Sequence, residues 1–427
     1  MAYVKDLWVK TVKNDDGATV KIKTARFGNG KRWLAGWIDP DGREKSKAFE
    51  RKVDAETHAK AMETDVSRGD YLDVDKGKRA VDEFVQDLFK SKRVVPGSME
   101  RYEQAYRLHV KPKFGHRQIK GLKTSEIRVW LNVLSETMGF STLKVCKEIL
   151  QGALDIAVED EAVRKNVARS RSIQLGTRPE RKIVPWLREQ LQAVIDFHDG
   201  EYRPIPVMGM VCGMRQGEVF AFALEDIDFK AKVVHVRCQL KRDGKAFVFG
   251  FPKGGKTRKA PMPDDLALLL REHIADYPPT PITLPWETST GRPTTRNLLF
   301  VWRGPKTGVT YITARAYSDK IWWPALVHAG LMKPPKPDAK GRKRYETDNR
   351  NGFHALRHYF ASAALQKSMP LTTLAEILGH SSIQTTATYY AHLMPDAFEY
   401  ARKAAQTELA EFKIFFSDGT ATEQRAA

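Results

Sequence analysis

Apolar and polar positions alternate over 20–27, 32–38 and 45–49, with Pro40-Asp41-Gly42 as a turn between the last two runs, and a period of two predicts strands. A small three-stranded sheet follows. Trp33, Trp37 and Phe27 interleave there with Lys and Arg, which suits a sheet face laid on a nucleic-acid groove. The period then lengthens: 54–68 reads as a helix stopped by Gly69, and 71–79 is charged and aperiodic, a linker. From 81 to about 167 the pattern is helical. Phe84, Val85, Leu88 and Phe89 share one side, Tyr102, Tyr106 and His109 precede a break at Pro112, and Thr124 with Ser125 offers a cap to the next helix. A further helix covers 141–158, and the basic, Pro-containing stretch 164–182 marks a second boundary.

Beyond it a helical start at Pro185-Trp186-Leu187 leads into the apolar segment 203–214, then into Arg215 and Glu218. Runs 232–240 and 245–251 alternate as a hairpin across Asp243-Gly244, and a third strand, 258–262, follows the Lys253-Gly254-Gly255-Lys256 turn. Residues 278–310 read as a Pro-, Thr- and Gly-rich loop with one short strand at 298–302, and 333–350 as a basic insertion. Three short helices close the pattern: one from His354, one over 371–378 ended by Gly379, and one capped by Ser381 or Ser382. Helical character returns over 397–416.

Composition narrows the class. A chain of 427 residues, 42% hydrophobic, can hold two or three domains with cores of their own. Its 71 Lys plus Arg against 52 Asp plus Glu give a net charge of +19, spread along the chain. Such an excess attracts a polyanion, DNA or RNA first. Cys146, Cys212 and Cys238 are too few and too scattered for a disulfide framework or a zinc site, so a reducing cytosol fits. No run approaches the roughly 20 apolar residues of a membrane span, and neither a metal-ligand cluster nor a nucleotide-binding loop is visible.

Candidate chemistry sits in 354–392. His354 and Arg357, three apart, share a helix face; His380 follows a glycine stop; Thr385, Thr386, Tyr389, Tyr390 and His392 follow on the next helix. HxLRH, then LGH, then Thr and Tyr at this spacing resembles the tyrosine recombinase, or phage integrase, family. Gly213-Met214-Arg215 with Glu218 resembles the family's first arginine motif. By that resemblance Arg215 and Arg357 grip the scissile phosphate, Lys253 in its hairpin turn is the general acid, His380 donates to the phosphate, His354 takes or relays the nucleophile's proton, and Glu218 orients Arg215. No metal or other cofactor is implied. Arginine suits the task because its planar, permanently charged fork can hold two phosphate oxygens. The nucleophile is one of two tyrosines, since adjacent helical residues point about 100° apart. Tyr389 stands nine after His380, the commoner family interval. Tyr390 stands ten after it and fits the Tyr-x-His-Leu-x-Pro ending that Tyr390-Ala391-His392-Leu393-Met394-Pro395 reproduces, as in some actinobacterial integrases, and is the preferred assignment.

The resemblance implies a multidomain protein. Its parts are an N-terminal DNA-binding domain at 1–70 made of the three-stranded β-sheet plus helix, an all-α core-binding domain at 80–167, a mixed α+β, mainly helical catalytic domain at 181–400, and a tail at 401–427. The extra basic N-terminal module looks like the arm-type domain of integrases that insert a phage or integrative element. Expected partners are double-stranded DNA attachment sites, core and arm, read by a homotetramer, with a host DNA-bending protein and an excisionase as further candidates and no membrane. The expected location is the cytoplasm of a bacterial host, on the nucleoid when DNA-bound. The rivals are a resolvase, invertase or transposon recombinase of the same chemistry, a relaxing topoisomerase, and a DNA-binding regulator whose catalytic fold is inactive. Against the last stands the presence of all six chemical positions.

Overall fold

The computed structural model describes residues 2–13, 19–73, 75–94, 96–177, 183–304, 308–393, 402 and 405–409. The chain divides into two compact units, Met1–Arg178 and Pro179–Ala427.

The first unit opens with β1 (Tyr3–Asp6), β2 (Val9–Lys13), β3 (Thr19–Lys23), β4 (Trp33–Ile38), β5 (Glu44–Phe49) and α1 (Lys52–Arg68). An antiparallel sheet of order β1-β4-β5 lies against α1 through Ala35, Ala55 and Ala59. The sheet has the expected number of strands but a different membership. Residues 19–23 pair with β2 as a separate ribbon, and β1 takes the place assigned to 20–27. Every residue of β3 is exposed, so its alternation reports the pleat of a solvated ribbon rather than a buried face. The predicted linker is also a packed strap. Tyr71 and Asp73 are buried, Trp37 Nε1 donates to Tyr71 Oη at 3.3 Å, and Lys45 Nζ donates to Asp73 at 3.2 Å.

Next come α2 (Val81–Ser91), α3 (Pro96–Ala105), α4 (Thr124–Ser135) and α5 (Phe140–Glu159), closed on a core that includes Phe84, Val85, Ile127, Leu131, Ile149 and Leu150. Pro112 does not break the chain. It lies inside a wide π-helical segment, Tyr106–Gly115, whose loose hydrogen bonding tolerates a residue without an N–H. Nor do Thr124 and Ser125 cap α4. Lys123 is the N-cap, its N–H donating to Glu126 at 3.2 Å, while Thr124 Oγ1 donates to the Val167 carbonyl at 3.2 Å.

The second unit begins with α6 (Arg188–Asp196), α7 (Pro204–Cys212) and α8 (Gln216–Phe220), followed by β6 (Ile227–Asp228), β7 (Val233–Val236), β8 (Gln239–Asp243), β9 (Ala246–Gly250) and β10 (Arg258–Pro261). The hairpin across Gly244 joins β8 to β9, with Asp243 opposite Ala246. The expected long strand 232–240 is two strands, and β10 pairs with β7 rather than with the hairpin. After α9 (Asp264–Asp276), the predicted loop 278–310 is instead two antiparallel pairs, β11 (Thr280–Pro285) with β12 (Pro293–Leu298) and β13 (Val301–Gly304) with β14 (Gly308–Tyr311). Short helices α10 (Ala314–Tyr317) and α11 (Trp323–His328) precede a two-residue ribbon, β15 (Lys336–Pro337) and β16 (Lys343–Arg344), in the basic insertion.

The chain ends its described fold on α12 (His354–Gln366), α13 (Leu371–Leu378) and α14 (Ile383–Tyr390). Ser382 is the N-cap of α14, its Oγ accepting from Gln384 N at 3.1 Å. Ala361, Leu365, Leu374, Leu378 and Tyr390 form the small core that locks these three helices together. Residues 405–409 are helical, and the rest of the predicted 397–416 segment, apart from 402, lies outside the described residues, as do Met394 and Pro395. Among the described residues no helix is long and apolar enough to cross a membrane.

Candidate functional site

Two glycines make the site possible. Gly213 ends α7 at φ 59°, where a Cβ would lie 2.8 Å from the Phe360 ring; Gly379 ends α13 at φ 63°, where a Cβ would lie 2.9 Å from Arg258 Cδ. Left-handed backbone and close approach both select glycine. Each stop aims the next residues, Arg215 and His380, into one cleft of about 560 Å³, whose lining includes Lys253, Lys256, His354, His358, Tyr389 and Tyr390. The sequence candidates therefore converge, with Arg357 buried close enough for its charge to act on His354, His380 and Tyr390.

Arg215 is the N-cap of α8, and Glu218 closes a reciprocal cap. One carboxylate oxygen accepts from Arg215 N at 2.8 Å and the other from Arg215 Nη1 at 2.9 Å. The same carboxylate receives the fork of Arg258, at 2.9 and 2.6 Å, and Arg258 Nε donates to the Ile377 carbonyl at 2.7 Å. Arg258 thus ties the first arginine to the end of α13. Burial alone raises the Glu218 pKa, but Arg258 and then Arg215 outweigh it and hold the carboxyl below its ordinary value.

Arg357, fully buried, donates from Nη1 to the Gly213 carbonyl at 2.7 Å and from Nη2 to the Leu378 carbonyl. Its Nε is buried without a partner among the described residues. Burial, then Arg215 and Arg258, push its pKa down. A guanidinium nevertheless keeps its proton, so among the described residues the site holds three guanidinium groups around the carboxylate of Glu218.

The histidines register that excess. His380 Nδ1 pairs with Thr386 Oγ1 at 2.7 Å, and burial followed by Arg357 and Arg215 lowers its pKa to about 4. His354, exposed at the start of α12, is lowered by desolvation, then by His358 and Arg357. His358, one turn on, is lowered to about 4 by burial and then Arg357. These shifts favour the neutral imidazole at all three while no anion is bound.

Tyr390 is buried, and its hydroxyl hydrogen-bonds His358 Nδ1 at 2.7 Å. Burial pushes its pKa up to about 12, while Arg357 and Arg215 pull the other way. Tyr389 lies beside it, ring centroids 6.5 Å apart, half-buried on the cleft wall. Lys253 sits in the Gly-rich turn, where Gly255 N donates to the Pro252 carbonyl at 2.9 Å. Lys256, at the other end of that turn, also reaches the cleft. Among the described residues no group of three or more His, Cys, Asp or Glu is placed to hold a metal ion.

Sequence reasoning gave no role to Arg258, His358, Lys256 or Thr386. His358 and Thr386 stand inside the quoted HxLRH and Thr-Thr patterns, so those patterns contained the signal. Arg258 reads as one more basic residue of an alternating strand.

A phenol hydroxyl beside fixed guanidinium groups is equipped to exchange one phosphodiester oxygen for another. This chain is similar to the tyrosine recombinases of the phage integrase family. The model described as the Phage integrase family matches residues 338–396, and that of the Phage integrase, N-terminal SAM-like domain matches 81–135. The Tyrosine recombinase XerC-like of Caldanaerobacter subterraneus subsp. tengcongensis is 25% identical over 402 residues, 87% of this chain and 95% of the relative. The Transposase from transposon Tn916 of Enterococcus faecalis is 24% identical over 308 residues, 67% of each chain. In fold, the chain is similar to the Tn1549 transposon integrase solved with transposon right end DNA, with a TM-score of 0.60 and 20% identity over 78% of this chain and 100% of that one. Together these matches support a tyrosine-type site-specific recombinase.

Proposed function

We propose that the chain is an integrase that joins an attachment site on a phage or other mobile element to one on a bacterial chromosome, and reverses the reaction on excision, through a 3′-phosphotyrosine intermediate. The observation that carries this reading is the single cleft into which Arg215, Lys253, His354, His380 and Tyr390 converge. In it Tyr390 Oη forms the new bond to phosphorus, the bond to the 5′-oxygen breaks, and Lys253 supplies that oxygen with a proton. Arg215 and Arg357 neutralise the nonbridging oxygens. His380, with Nδ1 turned to Thr386, donates from Nε2. Glu218 holds Arg215 without reacting, and His354 at the mouth relays the nucleophile's proton outward. The phosphotyrosine keeps the energy of the cleaved bond, so a 5′-hydroxyl can reverse the step and rejoin a strand.

Tyr390 is preferred to Tyr389 because its hydroxyl already bonds an imidazole and feels both arginines. Exchange between two duplexes cuts four strands, one per tyrosine, which calls for a homotetramer on DNA. The sheet module at 1–70 would engage arm sites, while the helical domain at 80–167 and the catalytic domain at 181–400 would hold the core site. A host DNA-bending protein and an excisionase are the further partners of this reading, set on the nucleoid in the bacterial cytoplasm.

The test is covalent trapping on a nicked suicide duplex, selected from a randomised pool by capture on the wild-type chain and read on a denaturing gel. The adduct should survive Tyr389→Phe and vanish with Tyr390→Phe. Loss only with Tyr389→Phe moves the nucleophile by one residue, and tight binding without any adduct favours the regulator.

A further inference from the structure

The hydroxyl of Tyr390 bonds a histidine to which neither the sequence nor the resemblance gives a role. On α12, His354, Arg357 and His358 occupy positions i, i+3 and i+4, one face of the helix. That spacing brings the imidazole of His358 to 2.7 Å from Tyr390 Oη, where it bonds through Nδ1. Its backbone is tied one turn further on, where Ser362 Oγ donates to the His358 carbonyl at 2.8 Å. The other two histidines are differently engaged. His380 Nδ1 pairs with Thr386, and His354 touches the edge of His358, ring centroids 4.9 Å apart, out at the exposed mouth.

We propose that His358 is the catalytic group that takes the proton from Tyr390 as the phosphotyrosine bond forms. The proposal rests on the assignment of Tyr390 as nucleophile. As Oη bonds phosphorus, its proton passes to Nδ1 of a neutral imidazole whose other nitrogen carries hydrogen. The P–O5′ electron pair leaves with the 5′-oxygen, which is protonated by Lys253. Nothing is oxidised or reduced, and on rejoining His358 returns the proton to Tyr390.

The resting electrostatics gate this step. Burial first and Arg357 second disfavour an imidazolium at His358, and burial keeps the phenol protonated, so the free protein holds a hydrogen bond rather than a phenolate. A phosphodiester seated against Arg357 offsets that part of the penalty, which raises the basicity of His358. Bound DNA thereby favours transfer of the proton from Tyr390 to His358.

The experiment uses the full chain and the captured nicked duplex. His358→Asn keeps an acceptor oxygen near the Nδ1 position but takes up no proton. It should bind the duplex as the wild type does and form the adduct about 10²-fold more slowly, the low end of what a positioned base contributes. Placing 2,3,5-trifluorotyrosine at position 390, with a phenol that ionises near neutral pH, should return most of that loss in His358→Asn and add little in the wild type. The pH at which the adduct rate is half-maximal should rise in His358→Asn and fall again with the fluorinated residue. Wild-type rates in His358→Asn, or slow rates that trifluorotyrosine does not restore, overturn the proposal and leave His358 a packing partner. Mass spectrometry of the nuclease-trimmed adduct separates the two assignments. An adduct on Tyr389 removes both, whereas an adduct on Tyr390 with a silent His358→Asn removes only the proton path.

Discussion

Two basic regions of this chain use their charge in opposite ways. In the N-terminal module, Arg32 pairs with Asp6 at 2.9 Å and stacks near Trp33, on a side chain 41% exposed, while the lysines of β3 stand in solvent. In the second unit, Arg258 and Arg357 are buried, with their forks set by one carboxylate and three carbonyls. Water and salt screen the first set, so it can add affinity but little geometry. Desolvation makes the second set costly to assemble, so each donor must be fixed by folding before any phosphate arrives. On the proposed function, the exposed cations of the ribbon would add affinity, while the buried Arg258 and Arg357 would fix the geometry of the site.

The comparison can be broken at several places. Glu218→Ala leaves Arg258 and Arg215 without their shared carboxylate and should lower the unfolding free energy by about 3–5 kcal/mol, read by urea denaturation. Arg357→Ala should preserve duplex binding but slow adduct formation by about 10²–10³-fold, or roughly 3–4 kcal/mol, the effect of deleting one preorganised donor. Full cleavage by Arg357→Ala would refute the division of labour.

Weaker effects sharpen it. His358 and His380 have folded pKa values depressed to about 4 from 6.5. Unfolded imidazoles take up protons first as pH falls, so this stabilisation is complete above about 6.5 and is lost on the way down to about 4. Thermal melts of the free protein should drop between pH 7 and pH 5, and bound DNA should blunt that drop by raising both pKa values. On the ribbon, Lys21→Ala and Lys23→Ala should each reduce the salt dependence of DNA binding by about one unit of slope wherever the lysine meets a phosphate, without changing adduct formation at saturating DNA. Smallest of all, Arg32→Ala should shift stability by only about 0–1 kcal/mol, because its ion pair is exposed.

What was legible in the sequence was local. The span of α13, its Gly379 stop and the Ser382 cap follow from neighbours within a turn or two, as does the shared face of His354 and Arg357. Long-range placement was not legible. Arg258 meets Glu218 across 40 residues and Ile377 across 119, and nothing in an alternating strand announces either contact. His358 meets Tyr390 across 32 residues. The ribbon β11–β12 read as loop because Pro281, Pro285 and Pro293 argue against a central strand; a two-stranded ribbon consists only of edges, where proline is tolerated. In the N-terminal sheet the alternation was visible but not the partner, since a period of two shows that a strand pairs and not with which strand.

The most direct test of the account is the polarity of the covalent junction. Wild-type protein trapped on an end-labelled nicked duplex should retain the strand through its 3′ end and release a 5′-hydroxyl that polynucleotide kinase can phosphorylate without prior phosphatase treatment. A 5′ linkage, or a released end that already carries phosphate, would contradict the chemistry assigned to this cleft.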